Sequence, residues 1–334
     1  ASNNTAVGYA SLNANTTGDR NVAVGTLALD ANTTADGNTA VGYAALTTNT
    51  TAEVNTAIGF SAMKLNTTGA SNTAVGANSL YANTTASNNT AVGTSALSAN
   101  TTGTFNTAVG SLAGDALTTG SRNTAFGKDA LTTDTLGSRS TALGFAALYS
   151  QNFTSATDSY NVAVGDQAGL NVTTGLQNTL IGGLAGDALT DADNNIAIGY
   201  GALSNDTLGS TSIGIGVLAL TEQNFTSATD TYNIAIGFRA GEKVSTGVQN
   251  TLIGGFAGDA LTDADYNTAV GYSALTSDTL GSRSVAMGTG ALGQQNFTSA
   301  TNAYNTAVGM SAGGAVTTGI LNTLIGGLAG DAIT

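Results

Sequence analysis

Asn38-Thr39-Ala40-Val41-Gly42 decides the reading of this chain, because the same five-residue phrase returns along its whole length. It opens at Asn4, Asn21, Asn38, Asn55, Asn72, Asn89, Asn106, Asn123, Ser140, Asn161, Asn178, Asn195, Ser212, Asn233, Asn250, Asn267, Ser284, Asn305 and Asn322. Neighbouring copies are 17 residues apart, except after Ser140, Ser212 and Ser284, where the step is 21. Three steps of 17 and one of 21 make a longer period of 72, which also separates Tyr160, Tyr232 and Tyr304. A short period nested in a longer one marks a tandem array whose units stack on their neighbours. The expectation is a single continuous β-solenoid over residues 1–334.

Within one unit, counted from its Asn as position 1, position 5 is always glycine, as at Gly8, Gly25, Gly42, Gly59 and Gly76. Such regularity means either a positive φ or a backbone too close for a Cβ. Position 2 is β-branched, as at Thr5 and Val22, and position 4 is bulky and apolar, as at Val7, Ile58 and Phe126. Side chains alternate across a strand, so positions 2 and 4 share one face and positions 3 and 5 the other. A second short strand is expected after the glycine, ending in a small residue and leucine such as Ala45-Leu46. A polar turn such as Asn66-Thr67-Thr68-Gly69 follows.

So short a unit cannot fold alone. Stacking at about 4.8 Å per turn supplies its partners and predicts a rod roughly 90 Å long. The bulky face at positions 2 and 4 is expected to pack inward against the leucine of position 9. The Ala/Gly face is then either the floor of a very thin coil or, as favoured here, a face pressed against identical chains. The position 1 amides of Asn4, Asn21, Asn38, Asn55 and Asn72 are expected to bond one another up the stack. The extra four residues of the long units fall in turns carrying Phe153, Phe225 and Phe297 and ending in Tyr160, Tyr232 and Tyr304. These turns are expected to protrude, as a clasp onto a neighbouring chain or, second, as a contact surface.

Composition narrows the function. The formal net charge of −13 offers no basic patch for nucleic acid. Cys, His, Trp and Pro are absent, which removes disulfides, thiolate and imidazole metal sites, and Ser-His-Asp or Cys nucleophiles. No cofactor and no metal is expected. No apolar run approaches the roughly 20 residues that span a bilayer, and no signal peptide is visible at Ala1. The chain reads as a processed form or a window of something longer, since Thr334 stops part-way through a unit. Joining Asp331-Ala332-Ile333-Thr334 to Ala1-Ser2-Asn3 makes a unit one residue short of the period, so end-to-end stacking into a filament is an expectation.

Three motifs carry weaker chemistry. Asp187, Asp191 and Asp193, repeated as Asp259, Asp263 and Asp265, offer hard oxygen ligands for Ca²⁺, but a solvated acidic turn is the favoured reading. The pairs Gly182-Gly183 and Gly254-Gly255 lack the helix and lysine of a phosphate loop. Sequons at Asn15, Asn32 and Asn83 are glycosylation acceptors or simply turns.

With Asn38-Thr39-Ala40-Val41-Gly42, Asn195-Ile196-Ala197-Ile198-Gly199 and Ser284-Val285-Ala286-Met287-Gly288 in view, the whole chain resembles the head repeats of YadA-type trimeric autotransporter adhesins. It is also similar to repeats of phage tail fibres. The resemblance implies a left-handed parallel β-roll, three chains around one axis, and attachment as the task. The repeat is longer than the family's usual one, and no heptad stalk, neck or membrane-anchoring barrel is seen. That leaves a secreted or virion fibre beside a surface adhesin. The leading expectation is thus a non-enzymatic, extracellular structural and attachment fibre, a homotrimer, with its host-surface or matrix ligand unspecified. An ice-binding-like threonine array is the alternative, and a polysaccharide-degrading fibre the third.

Overall fold

The computed structural model describes residues 1–334. It is all-β, a parallel β-solenoid of nineteen turns with one three-residue strand per turn and no helix. The chain divides into two compact units, Ala1–Ala163 and Val164–Thr334.

In the first unit, strands from Thr5–Val7 to Thr141–Leu143 pair in parallel without a register slip. Val22, Ala23 and Val24, for example, stand opposite Thr39, Ala40 and Val41. In the second, strands from Thr179–Ile181 to Thr323–Ile325 do the same, with Thr179 opposite Ile196. Equivalent positions therefore form columns, which is why a strand of three residues suffices. Each strand borrows its hydrogen bonds from the turns on either side: Val22 N donates to Asn38 O at 2.8 Å, and Gly42 N donates to Val24 O at 2.8 Å.

The expected second strand is absent. Positions 7 and 9 instead adopt left-handed backbone, as at Leu27 (φ 60°) and Leu29 (φ 50°), and at Ala44 (φ 54°) and Leu46 (φ 51°). L-residues avoid this region by roughly 1–2 kcal/mol each. Stacking offsets the cost. Leu27 N donates down the stack to Tyr9 O at 2.9 Å, and Leu29 N donates up to Ala45 O at 3.0 Å. Alternating hands of backbone thus aim successive amides at opposite neighbours, and no ladder of the ordinary kind is needed.

The two faces of the strand are reversed from the sequence expectation. Ala23, Ala40, Ala57 and Ala74 of position 3 are wholly buried, whereas Ile58 and Val92 of position 4 are exposed. Positions 2 and 4 point out and the small position 3 points in. The coil is thin enough that one leucine from position 9, such as Leu46 or Leu97, and an alanine from position 8, such as Ala45 or Ala96, fill the space opposite the strand. A bulky residue at position 3 would collide with that leucine. The exceptions support this: Leu180 and Leu252 occupy position 3 only where position 9 is Gly186 or Gly258. A Cβ on Gly186 would lie 2.7 Å from Leu180 Cδ2, so the leucine has changed place and not left the core.

The position 5 glycine belongs to neither face. Its φ runs from 124° to 145°, a conformation nearly confined to glycine, and a Cβ on Gly42 would lie 2.4 Å from Gly59 O. Both readings of the invariant glycine, positive φ and close backbone, therefore hold at Gly8, Gly25, Gly42, Gly59 and Gly76.

Candidate functional site

The position 1 asparagines form a column, as the sequence suggests, but their partners are chiefly backbone. Asn21 Oδ1 accepts from Asn38 N at 2.9 Å, Asn38 Oδ1 from Asn55 N at 2.9 Å, and Asn4 Oδ1 from Asn21 N at 2.8 Å. The amide nitrogen turns the other way and donates to the carbonyl fourteen residues on, as Asn38 Nδ2 does to Ala52 O at 2.9 Å. Direct amide-to-amide bonding at this position is occasional, as from Asn72 Nδ2 to Asn55 Oδ1 at 3.2 Å. One side chain thus ties the start of a turn to its end and to the next turn, inside a buried column.

A true amide-to-amide ladder lies at position 12, which composition assigned to a polar turn. Asn32 Nδ2 donates to Asn15 Oδ1 at 3.0 Å, Asn66 to Asn49 at 2.9 Å, and Asn83 to Asn66 at 2.8 Å. Asn32 and Asn83 are wholly buried, so glycosylation at these two sequons is excluded in the folded chain. The signal was the strict recurrence of Asn three residues before a small residue, Gly69 or Ala86, whose carbonyl takes the second amide proton.

At the widened turns both ladders change partners. The four extra residues displace the carbonyl that a position 1 amide would grip, and Ser140, Ser212 and Ser284 replace Asn there. In their place a buried carboxylate faces donors only: Asp134 Oδ1 accepts from Gly137 N at 2.9 Å, and Oδ2 from Gln151 Nε2 at 2.6 Å. Gln151 Nε2 also donates to Ser140 Oγ at 2.8 Å, and Gln151 Oε1 accepts from Asn161 Nδ2 at 2.9 Å. Asp206 with Gln223, and Asp278 with Gln295, repeat the arrangement. Burial pushes the Asp134 carboxyl above its ordinary value, against the opposing pull of Gln151 and the Gly137 amide. Sequence reasoning missed this cluster, although an Asp and a Gln 17 residues apart straddle the start of every long unit.

The aromatic residues of these turns part company. Phe153, Phe225 and Phe297 are only 4%, 6% and 6% exposed, which corrects the expectation that they protrude. Phe153 N donates to Asp134 Oδ1 at 3.4 Å, Phe225 N to Asp206 Oδ1 at 3.2 Å and Phe297 N to Asp278 Oδ1 at 3.1 Å, so the ring is drawn in beneath its own loop. The cover a loop phenylalanine seeks comes from its own chain. Tyr160, Tyr232 and Tyr304 remain about half exposed (49%, 54% and 51%), with Arg139 5.5 Å from the Tyr160 ring and Arg283 5.9 Å from that of Tyr304.

Of the acidic triplet, Asp191 accepts from the Thr174 hydroxyl and Asp193 from Leu176 N at 2.7 Å, each one turn away. Burial raises the Asp187 pKa. No group of three or more His, Cys, Asp or Glu side chains is placed to hold a metal ion. No helix is long and apolar enough to cross a membrane.

The most conspicuous unpartnered surface is the outer face of the strands. In the first unit it carries Ile58, Val92, Phe126 and Leu143, and in the second Ile181, Ile236, Ile253 and Met287, all exposed. Tyr43, Phe60, Phe145, Tyr200, Phe238 and Tyr272, exposed at position 6, border it beyond the glycine bend. An apolar column one residue wide and many turns long has the form of an association surface. No protein-family model matches the chain, and no curated protein matches it.

Proposed function

We propose that the chain is a non-enzymatic structural and attachment protein of the extracellular fibre kind, associating with copies of itself through the outward face of positions 2 and 4. The observation that carries this reading is the burial pattern. The coil fills its own interior with Ala, Leu and Asn, yet keeps a recurrent bulky apolar residue at position 4 outside. Single exposed apolar side chains are ordinary, but a contiguous column of them in a chain of net charge −13 needs a partner to remove it from water. A second copy offers the same column, self-complementary in spacing because every turn has the same rise. The number three follows the resemblance to trimeric adhesin heads, as does the placement outside the cell. Native mass spectrometry is expected to give three chains per particle, and Ile58→Lys with Val75→Lys to reduce the particle to one chain without unfolding it. A wild-type particle of one chain at micromolar concentration defeats the reading.

One observation favours a second reading. Thr39, Thr56, Thr73, Thr90, Thr107 and Thr124 of position 2 stand on the outer face, not inward as the sequence suggested, and their hydroxyls have no protein partner. Such a row, at strand spacing beside a row of valines, has the form of a water-ordering surface. Thermal hysteresis of the purified protein separates the two: a freezing-point gap supports the ice-binding alternative, and none leaves the fibre.

A further inference from the structure

One groove in the first unit brings aromatic rings, a cation and polar side chains together. Tyr43 and Phe60 stack in parallel there, ring centres 5.3 Å apart and planes 14° apart. Together with Lys64, Asn78, Tyr81 and Ser95 they line a groove of about 600 Å³, within the range of small-ligand sites. The Lys64 ammonium lies 5.9 Å from the Tyr81 ring centre. Asn78 N donates to Phe60 O at 2.9 Å, which leaves the Asn78 side-chain amide and the Ser95 hydroxyl directed to the groove they line. A stacked aromatic pair beside hydroxyl, amide and ammonium groups matches a ligand that is apolar on its ring face and polar at its rim. That is the surface of a pyranose, whose axial C–H groups pack on aromatic rings while its hydroxyls bond outward.

Charge narrows the class. In a chain with 21 acidic and 8 basic residues, the groove lining contains no Asp or Glu, and its one cation is Lys64. A groove of 420 Å³ in the second unit, lined by Ser273, Ser311 and Gln294, lacks any ring and any cation and includes Asp331. Groove shape alone therefore comes with the fold, and the stacked rings and the ammonium distinguish the first groove from the second.

We infer that the Tyr43/Phe60/Lys64 groove binds a carboxylate-bearing sugar residue of a surface or matrix glycan, the rings taking the sugar face and the ammonium its carboxylate. This rests on the attachment reading and gives it a ligand class. The test is calorimetric titration of the full chain with a glucuronate-containing tetrasaccharide and with a neutral N-acetylglucosamine tetramer. The acidic probe is expected to bind more tightly, and Lys64→Ala to weaken it about tenfold while leaving the neutral probe unchanged. Tyr43→Ala with Phe60→Ala is expected to abolish both, with the melting temperature kept, since these rings are about half exposed and lie outside the core. Gln294→Ala is expected to change neither. Absence of binding by wild type at millimolar probe, or acidic binding unaffected by Lys64→Ala, overturns the inference. The mass of the same sample keeps the two proposals apart: an oligomer that binds no sugar defeats only this one, and a monomer that binds it defeats only self-association.

Discussion

The turn that begins at Asn38, in the first unit, and the turn that begins at Asn250, in the second, enclose the same space with different residues. The first fills it with Ala40, Leu46 and Asn49, and the second with Leu252, Gly258 and Leu261, all of them buried. The backbone at position 9 hardly changes, with φ of 51° at Leu46 and 55° at Gly258. The coil therefore prescribes a volume and not a residue. A leucine at position 3 is allowed only because position 9 has surrendered its own, and once it has, position 12 turns from amide to apolar.

The largest effect should be common to both turns. Gly42→Ala and Gly254→Ala place a Cβ 2.4 Å from Gly59 O and 2.5 Å from Gly271 O. Each is expected to cost about 3–5 kcal/mol in guanidinium unfolding, the bend being nearly closed to other residues. Unequal costs for the two would break the premise that the bend is shared while the core is not. Next comes the exchange itself. Leu252→Ala alone should cost about 3 kcal/mol for the cavity it opens. Gly258→Leu alone drives a Cβ to 2.7 Å from Leu252 Cδ2 and should also destabilise. Together they restore the first-unit residues at positions 3 and 9, though Leu261 still stands at position 12 with its Cδ1 2.8 Å from the new Cβ, and a double-mutant cycle should show a favourable coupling of about 1–3 kcal/mol. Strict additivity would deny the exchange.

Removing an amide should cost somewhat less. Asn72→Ala leaves Asn89 N and Ala86 O without the bonds of 2.9 and 2.8 Å that Asn72 provides. A loss of about 2–4 kcal/mol is expected, read as faster amide exchange in the two flanking turns. Beside the widened turn a carboxyl, Asp134, stands at position 12 in place of an amide, and the comparison becomes one of pH. Asp134 is raised in the folded state by burial. The stability it contributes is therefore complete below the unfolded aspartate value of about 3.9 and is lost as pH climbs through its higher folded value. Carboxyl-carbon NMR should place its midpoint above that reference, and this turn should exchange more slowly near pH 4 than at neutrality after correction for intrinsic rates. The smallest effect concerns a left-handed residue that does not suit its backbone. Val54 has φ 58° and is 63% exposed, and Gly37 holds the same position one turn earlier. Val54→Gly should raise stability by up to about 1 kcal/mol, because a β-branched side chain resists this region.

Much of this was legible in the residues. The recurrence of Asn38-Thr39-Ala40-Val41-Gly42 is enough for stacked parallel turns, since equal units can satisfy their backbones only on one another. Glycine at position 5 of every unit is enough for a bend that admits no side chain. The widened turns announced themselves by Ser140, Ser212 and Ser284. What was not legible is where the chain departs from residue preference. Leu29 and Leu46 give no hint of left-handed backbone, because their preference is against it and only the amides of adjacent turns reverse it. Phe153 reads as a loop aromatic, and its burial depends on Asp134, nineteen residues away, holding its amide.

The sequence by itself determined the period, the parallel register and the columns, because these follow from repetition and the two-residue alternation of a strand. Only the tertiary structure decided which face of the strand is inside. Alternation distinguishes two faces but carries no sign. The sign comes from the width of the coil, set by left-handed residues at positions 7 and 9. That width admits Ala40 beside Leu46 and leaves the bulkier Val41 and Ile58 on the outside.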